Sequence, residues 1–384
     1  MGDPPLAADR VRLKDLSRRE LRAWLAERFG EPAYRGDQLF GWIYRQRARD
    51  FAAMTNLPAA LRSRLMTAAT LAEPELVAAP SSADGTRKLL LRLEDGAAIE
   101  TVLIPERRRL TLCLSTQVGC ALACRFCATG ALGFRRNLRP GEIVDQVLVA
   151  DRLAREQGAL PPPVGPRTAI THLVLMGMGE PLMNAEATAR AIEVLADPLG
   201  LALPPRRVTL STVGLSHRLW SFLERTGVRL AVSLHAADPA LRAELMPIER
   251  AHPLRALLAE IRRRQGGGQL RERVTFEYVL LAGVNDSVEH ARALAELVRG
   301  IDCKVNLLAF NPYAGAAFAR PADAVVEGFR SALLQAGVPA YVRRSRGRDI
   351  AAACGQLALR RDEQHPVVPL ARSRPVSLPA GEDR

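Results

Sequence analysis

Residues 113–127 read CLSTQVGCALACRFC, and this cysteine-rich stretch is the starting point for interpreting the fold. Cys120, Cys124 and Cys127 have CxxxCxxC spacing, and Cys113 lies seven residues before Cys120. An iron–sulfur cubane normally takes four thiolates, so three in one loop would leave one iron open to a ligand. The alternatives are a structural zinc site or scattered buried thiols, but zinc usually requires a second pair of ligands, and none follows here. The spacing favours a cluster with an open iron.

The residues around the motif carry a family resemblance. CxxxCxxC is the hallmark of radical S-adenosylmethionine (SAM) enzymes, and residues 111–138, TLCLSTQVGCALACRFCATGALGFRRNL, closely resemble the RlmN/Cfr family of adenosine methyltransferases. The resemblance extends from about residue 11 to about residue 358. It implies a [4Fe–4S] cluster on the three motif cysteines, and SAM as both methyl donor and radical source.

Composition points to a polyanionic partner. The chain of 384 residues is 48% hydrophobic and 25% charged, as is usual for globular proteins, but its formal net charge is +13. RNA, DNA or an anionic membrane would suit this surplus, although a general preference for arginine is an alternative. The N-terminal MGDPPLAADR lacks an apolar signal region, and no apolar run reaches transmembrane length. With six cysteines and no export signal, we expect a cytoplasmic protein without a membrane association.

Residues 1–74 are predicted to form a basic helical domain. Leu21, Trp24 and Leu25 follow the helical period, and Ser17 with Glu20 forms a capping-box pattern. Arginines lie between the aromatic residues: Arg18, Arg19, Arg22, Arg35, Arg45, Arg47 and Arg49. They could contact phosphates or simply be solvated. The family resemblance implies that this domain helps to hold RNA.

Residues 75–105 are predicted to form a β-hairpin linker. TRKLLLRL and AAIETVLI alternate in polarity around Glu94-Asp95-Gly96, a strong turn signal. Glu100 lies in the second strand, where an acid usually faces solvent. The resemblance instead implies that Glu100 is a catalytic proton acceptor.

Residues 106–345 alternate between strands and helices, which predicts a parallel sheet with crossover helices. The predicted strands are 110–115, 169–176, 206–211, 228–234, 273–281, 304–310 and 339–343. The predicted helices are 141–157, 185–197, 239–246, 253–264, 287–299 and 323–336. Six or so such units are too few for a closed eight-stranded barrel. The resemblance implies a partial (βα)6 radical SAM barrel. Within this region, PPPVGP at 161–166 is predicted to be a loop insertion.

Polar residues follow several of these strands, at the end where parallel α/β folds bind ligands. Gly179 and Glu180 belong to a glycine-rich segment. Glycines let the protein backbone approach the methionine end of the cofactor, and the Glu180 carboxylate could pair with the cofactor's ammonium. A single Ser, His or Asn at such a place is most often a turn residue. The resemblance implies SAM contacts from Gly179, Glu180, Ser211, Ser233, Leu234, His235 and Asn311.

The C-terminal segment, 346–384, begins within the basic run VRRSRGRD and contains Cys354. A buried thiol is the simplest interpretation of Cys354. RGRDIAAACGQLA, however, resembles the family segment that holds a methyl-carrying cysteine. Residues from about 360 onward are rich in proline and charge and are predicted to be disordered.

The resemblance also implies a reaction in which Cys354 is methylated, forms a covalent RNA adduct, and is released when Cys113 attacks it. The expected product is adenosine methylated at C2, in 23S rRNA and at the position 3′ of the anticodon in tRNA. C8 methylation of rRNA is the alternative within the family, since both activities share the cysteine set. A non-catalytic metal protein that binds RNA, or a radical SAM enzyme for another substrate, explains fewer of the motifs. A flavodoxin-type electron donor and a monomeric state are further expectations.

Overall fold

The structure is a computed structural model, and it describes residues 10–107, 109–156 and 168–357. Its strands are β1 (Val11–Arg12), β2 (Ala69–Thr70), β3 (Glu75–Ala78), β4 (Arg87–Arg92), β5 (Ala98–Glu106), β6 (Arg109–Cys113), β7 (Gln117–Gly119), β8 (Phe134–Asn137), β9 (His172–Leu175), β10 (Val208–Thr212), β11 (Arg229–Ser233), β12 (Val274–Leu280), β13 (Cys303–Ala309) and β14 (Ala340–Val342). Its helices are α1 (Arg18–Phe29), α2 (Ala33–Tyr44), α3 (Ala59–Ala68), α4 (Ala128–Leu132), α5 (Pro140–Glu156), α6 (Ala185–Ala196), α7 (Ser216–Thr226), α8 (Pro239–Leu245), α9 (Leu254–Gly266), α10 (Val288–Leu297) and α11 (Asp323–Gln335).

A ten-stranded sheet organises the fold, in the order β14-β13-β12-β11-β10-β9-β6-β5-β4-β3. Strands β6 and β9 to β14 are all parallel to one another and lie side by side in chain order. Helices lie in the connections between them, which is the βα repeat expected from the sequence. The predicted α/β architecture of a partial barrel is therefore confirmed. The parallel strands end on the same side of the sheet, where the polar residues singled out above are found.

The predicted hairpin is β4 and β5, and it continues the main sheet. Strand β5 pairs antiparallel with β6 as well as with β4, so that the hairpin is hydrogen-bonded directly to the first parallel strand. This pairing brings Glu100 close to the chain that leads into the cysteine motif. The division into 1–74, 75–105, 106–345 and 346–384 stays a prediction.

One crossover helix was not predicted from the sequence. Helix α7 connects β10 and β11, and its buried residues Leu219 and Phe222 have helical spacing. It ends at Gly227, whose left-handed φ of 64° closes the last turn. The signals were present, but the intervening stretch is short and mostly polar.

The N-terminal helices begin as predicted and attach to the sheet's helices through charges. Ser17 and Glu20 form the capping box at the start of α1. Lys14 Nζ lies 2.6 Å from Asp145 on α5, and both side chains are buried. Several arginines that could contact phosphates or be solvated pair with carboxylates of the chain: Arg18 with Asp197, Arg22 with Asp37, and Arg47 with Asp151. The pairs of Lys14, Arg18 and Arg47 attach the helical module to the core.

Two sequence predictions lie outside the described residues: the loop insertion at 161–166 and the disordered tail from about residue 360. In the described ranges, no helix has both the length and the apolar character needed to cross a bilayer.

Candidate active site

The cysteine motif forms a loop between β7 and α4. The Cys120 amide donates to the Gly133 carbonyl at 2.8 Å, and the Cys127 amide donates to the Cys124 carbonyl at 3.1 Å. These backbone bonds give the loop a defined shape before any ligand binds. Cys120, Cys124 and Cys127 all line one cavity at the carboxyl end of the parallel strands.

Burial makes two of these thiols, Cys120 and Cys124, poor acids on their own. It raises the pKa of Cys120 to about 12 and that of Cys124 well above its usual range, and repulsion from Cys127 adds to both. A metal would reverse this effect, because coordination requires and stabilises thiolates. Among the described residues, no three Cys, His, Asp or Glu side chains are placed to hold a single metal ion. A cubane does not need such convergence, since its cysteines bind different iron atoms.

The glycine-rich segment after β9 needs glycine for steric reasons. A Cβ on Gly177 would lie 2.6 Å from the Leu114 carbonyl oxygen, and one on Gly179 would lie 2.6 Å from the Gln117 side chain. Gly179 also has a φ of +100°, which other residues rarely adopt. Both glycines line the cavity, so the backbone itself forms part of its wall.

Glu180 follows directly and contributes a buried carboxylate to the same wall. It accepts hydrogen bonds from the amides of Leu182 and Val213, both at 3.1 Å. Burial raises its pKa to about 7, against the lowering effect of these bonds and one from Thr212. A carboxylate has about four acceptor sites, so these bonds leave capacity for a ligand ammonium.

The strand-end residues converge, with one exception. Ser211, Ser233, His235 and Asn311 line the cavity. Leu234 does not line it, since its side chain is fully buried in the core. Its carbonyl accepts a hydrogen bond from Arg242 at 2.9 Å. Leu234 therefore positions the loop through its backbone.

His235 is held as a neutral imidazole. Its Nδ1 accepts the Val279 amide at 3.0 Å, so the ring proton lies on Nε2. Burial, with a smaller effect of Arg242, lowers its pKa to about 3. The ring contacts Phe126 of the cysteine loop, with centroids 4.7 Å apart. His235 thus joins the loop to the end of β11.

Asn311 provides a test of whether the cavity fits a bound cofactor. Its Oδ1 is buried and has no hydrogen-bond partner in the described part of the chain, although it lines the cavity. A buried acceptor without a hydrogen-bond partner is uncommon in a folded protein. Together with the glycine wall, the Glu180 carboxylate and the three motif thiols, it fits a site for a [4Fe–4S] cluster and SAM.

Cys354 lines this same cavity, although it lies far along the chain from the motif. Its loop docks on α4, because the Ala128 amide donates to the Gly355 carbonyl at 2.8 Å. The thiol is exposed to the cavity, yet the surrounding protein raises its pKa by desolvation, against the effect of Arg343.

Cys113 lies behind the cavity wall, at the end of β6. It is buried, and desolvation raises its pKa to about 12, with a further contribution from the charge of Cys354. The charge of Arg343 lowers the pKa of both Cys113 and Cys354, against the effect of burial. All six cysteines are free in the structure, so the two are not bonded.

Glu100 is buried rather than facing solvent, with 2% of its surface exposed. It lies on β5 and pairs with Lys88 on β4, whose Nζ is 2.9 Å from its Oε1. The Lys88 ammonium also approaches the carbonyl of Ala351, near Cys354, at 3.4 Å. Glu100 does not line the cavity that contains the three motif cysteines.

Three further residues of the site were missed from the sequence. Arg242 is fully buried beneath the strand ends, Glu277 lines the cavity beside Cys354, and Lys88 pairs with Glu100. Glu277 carried a usable signal, an acid in the apolar strand VTFEYVL. Arg242 and Lys88 carried no local signal, because Arg242 donates mainly to backbone carbonyls and Lys88 contacts a carbonyl 263 positions away.

Protein-family models and curated proteins that are similar to this chain indicate its family. Residues 11–71 match the model of the ribosomal RNA large subunit methyltransferase N-terminal domain, and residues 114–295 match the radical SAM superfamily. The chain is 47% identical over 347 residues to the dual-specificity RNA methyltransferase RlmN of Rhodospirillum rubrum, covering 90% of this chain and 80% of that protein. It is 45% identical to the RlmN of Syntrophobacter fumaroxidans, covering 90% and 98%.

A solved structure is similar throughout. The crystal structure of a radical SAM methyltransferase from Sphaerobacter thermophilus superimposes with a TM-score of 0.82 and 46% identity, covering 90% of this chain and 99% of that one. The sequence relatives, the family models and the fold all indicate the same family. The chain therefore belongs to the RlmN family within the radical SAM superfamily.

Proposed function

We propose that this protein is an RNA methyltransferase that adds a methyl group to C2 of adenosine, in 23S rRNA and next to the anticodon of tRNA. The observation that carries the proposal is that Cys354 lines the same cavity as Cys120, Cys124 and Cys127. A methyl-carrying residue must be reachable from the cofactor site, and this placement supports that requirement. The named relatives are dual-specificity RNA methyltransferases, which supports both RNA classes as substrates.

The target carbon explains why a protein thiol is needed. C2 of adenine is electron-poor and carries an unactivated C–H bond, so it cannot attack the methyl group of SAM directly. A thiolate can, and covalent catalysis divides one difficult step into feasible ones. The Cys354 sulfur forms a bond to the methyl carbon as the sulfonium–methyl bond breaks and S-adenosylhomocysteine leaves. Arg343 favours this step because its positive charge lowers the pKa of Cys354, against the raising effect of desolvation.

The remaining steps assign roles to Glu100 and Cys113. When bound, the cluster and a second SAM would supply the one-electron and radical chemistry that activates the methyl group and would accept the electron released when the adenine ring becomes aromatic again. Glu100 accepts the proton that C2 loses at that point. Glu100 is buried on β5, which pairs with the strand that ends at Cys113.

Cys113 releases the product. It attacks the sulfur of Cys354, so that an S–S bond forms as the bond between that sulfur and the methylene carbon breaks. The electron pair of the broken bond remains on carbon, which takes up one proton and becomes the methyl group of the RNA. Burial raises the pKa of Cys113 to about 12, so the thiol can supply this proton itself. The two cysteines are oxidised to a disulfide, which must be reduced before the next cycle.

The net charge of +13 supports a nucleic-acid substrate, and the six free cysteines suit a reducing compartment such as the cytoplasm. A flavodoxin-type reductant and a monomeric state stay predictions from the resemblance.

Nucleoside mass spectrometry tests the proposed activity. The purified, anaerobically reconstituted protein is incubated with SAM, a reductant, and 23S rRNA or tRNA, and the nucleosides are then separated. We expect 2-methyladenosine in both RNAs. 8-Methyladenosine would instead identify the other activity of the family, and unmodified RNA would contradict the proposal.

The Cys113→Ala variant tests the order of the thiol steps. We expect it to methylate Cys354 and to cleave SAM, but to remain covalently attached to RNA on a denaturing gel. Cys303→Ala is the matched control, since that thiol is buried at the start of β13 and does not line the cavity. Normal turnover by Cys113→Ala would contradict the resolving role.

A further inference from the structure

Lys88 is a buried cation outside the cysteine cavity that no step above requires. Only 9% of its surface is exposed, and its ammonium lies 2.9 Å from the Glu100 carboxylate. Strand pairing explains the contact: Leu90 is directly opposite Glu100, and Lys88 is opposite Val102, so the two charged residues are diagonal neighbours on one face of the hairpin. The cost of removing two charges from water can exceed the attraction between them, so a contribution to stability does not by itself explain this buried ion pair.

The ammonium makes a second contact that links it to the Cys354 loop. Nζ donates to the Ala351 carbonyl at 3.4 Å, three residues before Cys354. Ala351 has a φ of 50°, so its carbonyl is presented by a backbone conformation that alanine rarely adopts. An ammonium has three donors and can serve both acceptors together.

The same loop is attached to the turn that precedes β4. The Ser82 hydroxyl donates to Asp349 at 2.6 Å, and the Gly347 amide donates to Asp84 at 3.1 Å. The hairpin that carries Glu100 therefore also holds the loop that carries Cys354. Lys88 is the residue that contacts both, inside the protein.

We propose that Lys88 is a positioning residue that holds the Glu100 carboxylate and the Cys354 loop in register for proton removal from C2. This inference rests on the proposed roles of Glu100 and Cys354. Without the ammonium, Glu100 loses its contact with Lys88, and the Ala351 carbonyl loses a donor. The carboxylate and the Cys354 loop are then no longer linked through one side chain. Methylation of Cys354 and addition to the RNA do not need the base, so these steps continue.

The Lys88→Met variant removes the charge and keeps an unbranched side chain. Methylation of Cys354, formation of the RNA adduct and its release are measured separately in this variant. We expect methylation of Cys354, measured by intact-protein mass, at the native rate. With RNA, the covalent adduct should form and then persist, and release should slow about 100-fold, the lower end of the contribution of a positioned base. RNA deuterated at adenosine C2 should show a kinetic isotope effect on release that is larger than in the native protein. Lys88→Arg, which keeps a cation, should restore most of the rate.

Arg92→Met is the matched control. Arg92 lies on the same strand and the same face, and its pairing with Glu75 at 2.9 Å is solvent-exposed. We expect it to behave like the native protein in every step. Hydrogen exchange gives a readout independent of turnover: amides of 347–354 should exchange faster in Lys88→Met and not in Arg92→Met.

Two results would overturn the inference. Native-like release by Lys88→Met would show that the ammonium is not needed, and an equal loss of Cys354 methylation, adduct formation and release would show a merely structural role. If Lys88→Met does not fold, Lys88→Gln gives the same comparison with a neutral side chain that can still donate to Ala351. If the native protein itself methylates no RNA, the proposed function fails, and the assignment of Lys88 fails with it.

Discussion

Replacing Arg242 by methionine should destabilise the protein more than any exposed charge change. Arg242 has 1% of its surface exposed and forms an ion pair with Glu249, which is also buried. The guanidinium donates to the carbonyls of Val213, Ser233 and Leu234 at 2.9–3.1 Å. These carbonyls follow or end β10 and β11, so one side chain connects two strand ends that form the cavity.

The expected magnitude follows from the burial of the pair. Removing one partner of a buried ion pair leaves an uncompensated charge and typically costs about 3–5 kcal/mol. Removing both charges is much less costly, so Arg242→Met combined with Glu249→Gln should recover about 2 kcal/mol or more of the loss. Urea unfolding followed by circular dichroism gives the free energies of unfolding. SAM titration should show weaker binding in the single variant, because Ser233 loses its support.

Arg273→Met is the control for this cycle. Its pairing with Asp302, at 2.8 Å, is exposed on both sides, so its removal should change the free energy of unfolding by no more than about 1 kcal/mol. Additive losses from Arg242→Met and Glu249→Gln, with no recovery in the double variant, would refute the reasoning, since they would mean that the two charges do not compensate each other.

Three further predictions concern the cavity. The pKa of His235, lowered from 6.5 to about 3 by burial, means that the unfolded chain binds a proton below pH 6.5 that the folded chain does not; the free energy of unfolding should therefore fall by about 2 kcal/mol between pH 6.5 and 5, and His235→Gln should lack this component in pH-dependent urea titrations. Gly177→Ala places a Cβ 2.6 Å from the Leu114 carbonyl, so SAM binding measured by calorimetry should be lost or greatly weakened, whereas Gly328→Ala, in open space on α11, should bind SAM normally. Cys124→Ala should bind less than the native four irons per chain and lose the cluster absorption after anaerobic reconstitution; an unchanged iron content and spectrum would exclude Cys124 as a ligand.

Local patterns predicted much of this fold. The parallel strands carry apolar runs, so β9 to β13 could be placed from local patterns, whereas the set of cavity residues after them came from the family resemblance. Helix α1 could be placed equally well, because the two residues of its capping box, Ser17 and Glu20, are only three positions apart. Strand pairing was harder. The hairpin was evident from its turn, yet nothing local indicated that β5 would pair with β6.

The site was predicted where family motifs mark it and missed where distant charges meet. Lys88 and Ala351 are 263 positions apart in the sequence. Arg242 donates hydrogen bonds mainly to backbone carbonyls, which every residue type has, so the neighbouring residue types do not indicate these bonds. Cys354 could be assigned only through the resemblance, since a lone cysteine in a C-terminal segment is ordinarily a buried thiol. Leu234 shows the opposite case: its position was singled out, but only its backbone contributes.

The docking of the C-terminal segment on α4 has a consequence for how the protein is made. Gly355 and Leu357 are bonded to Ala128 and Thr129, directly after the cysteine loop. During synthesis the cysteine loop leaves the ribosome long before this segment does. The cavity therefore stays uncovered on one side until the later segment has been made, which leaves time for iron and sulfide to be delivered before the Cys354 loop closes over them.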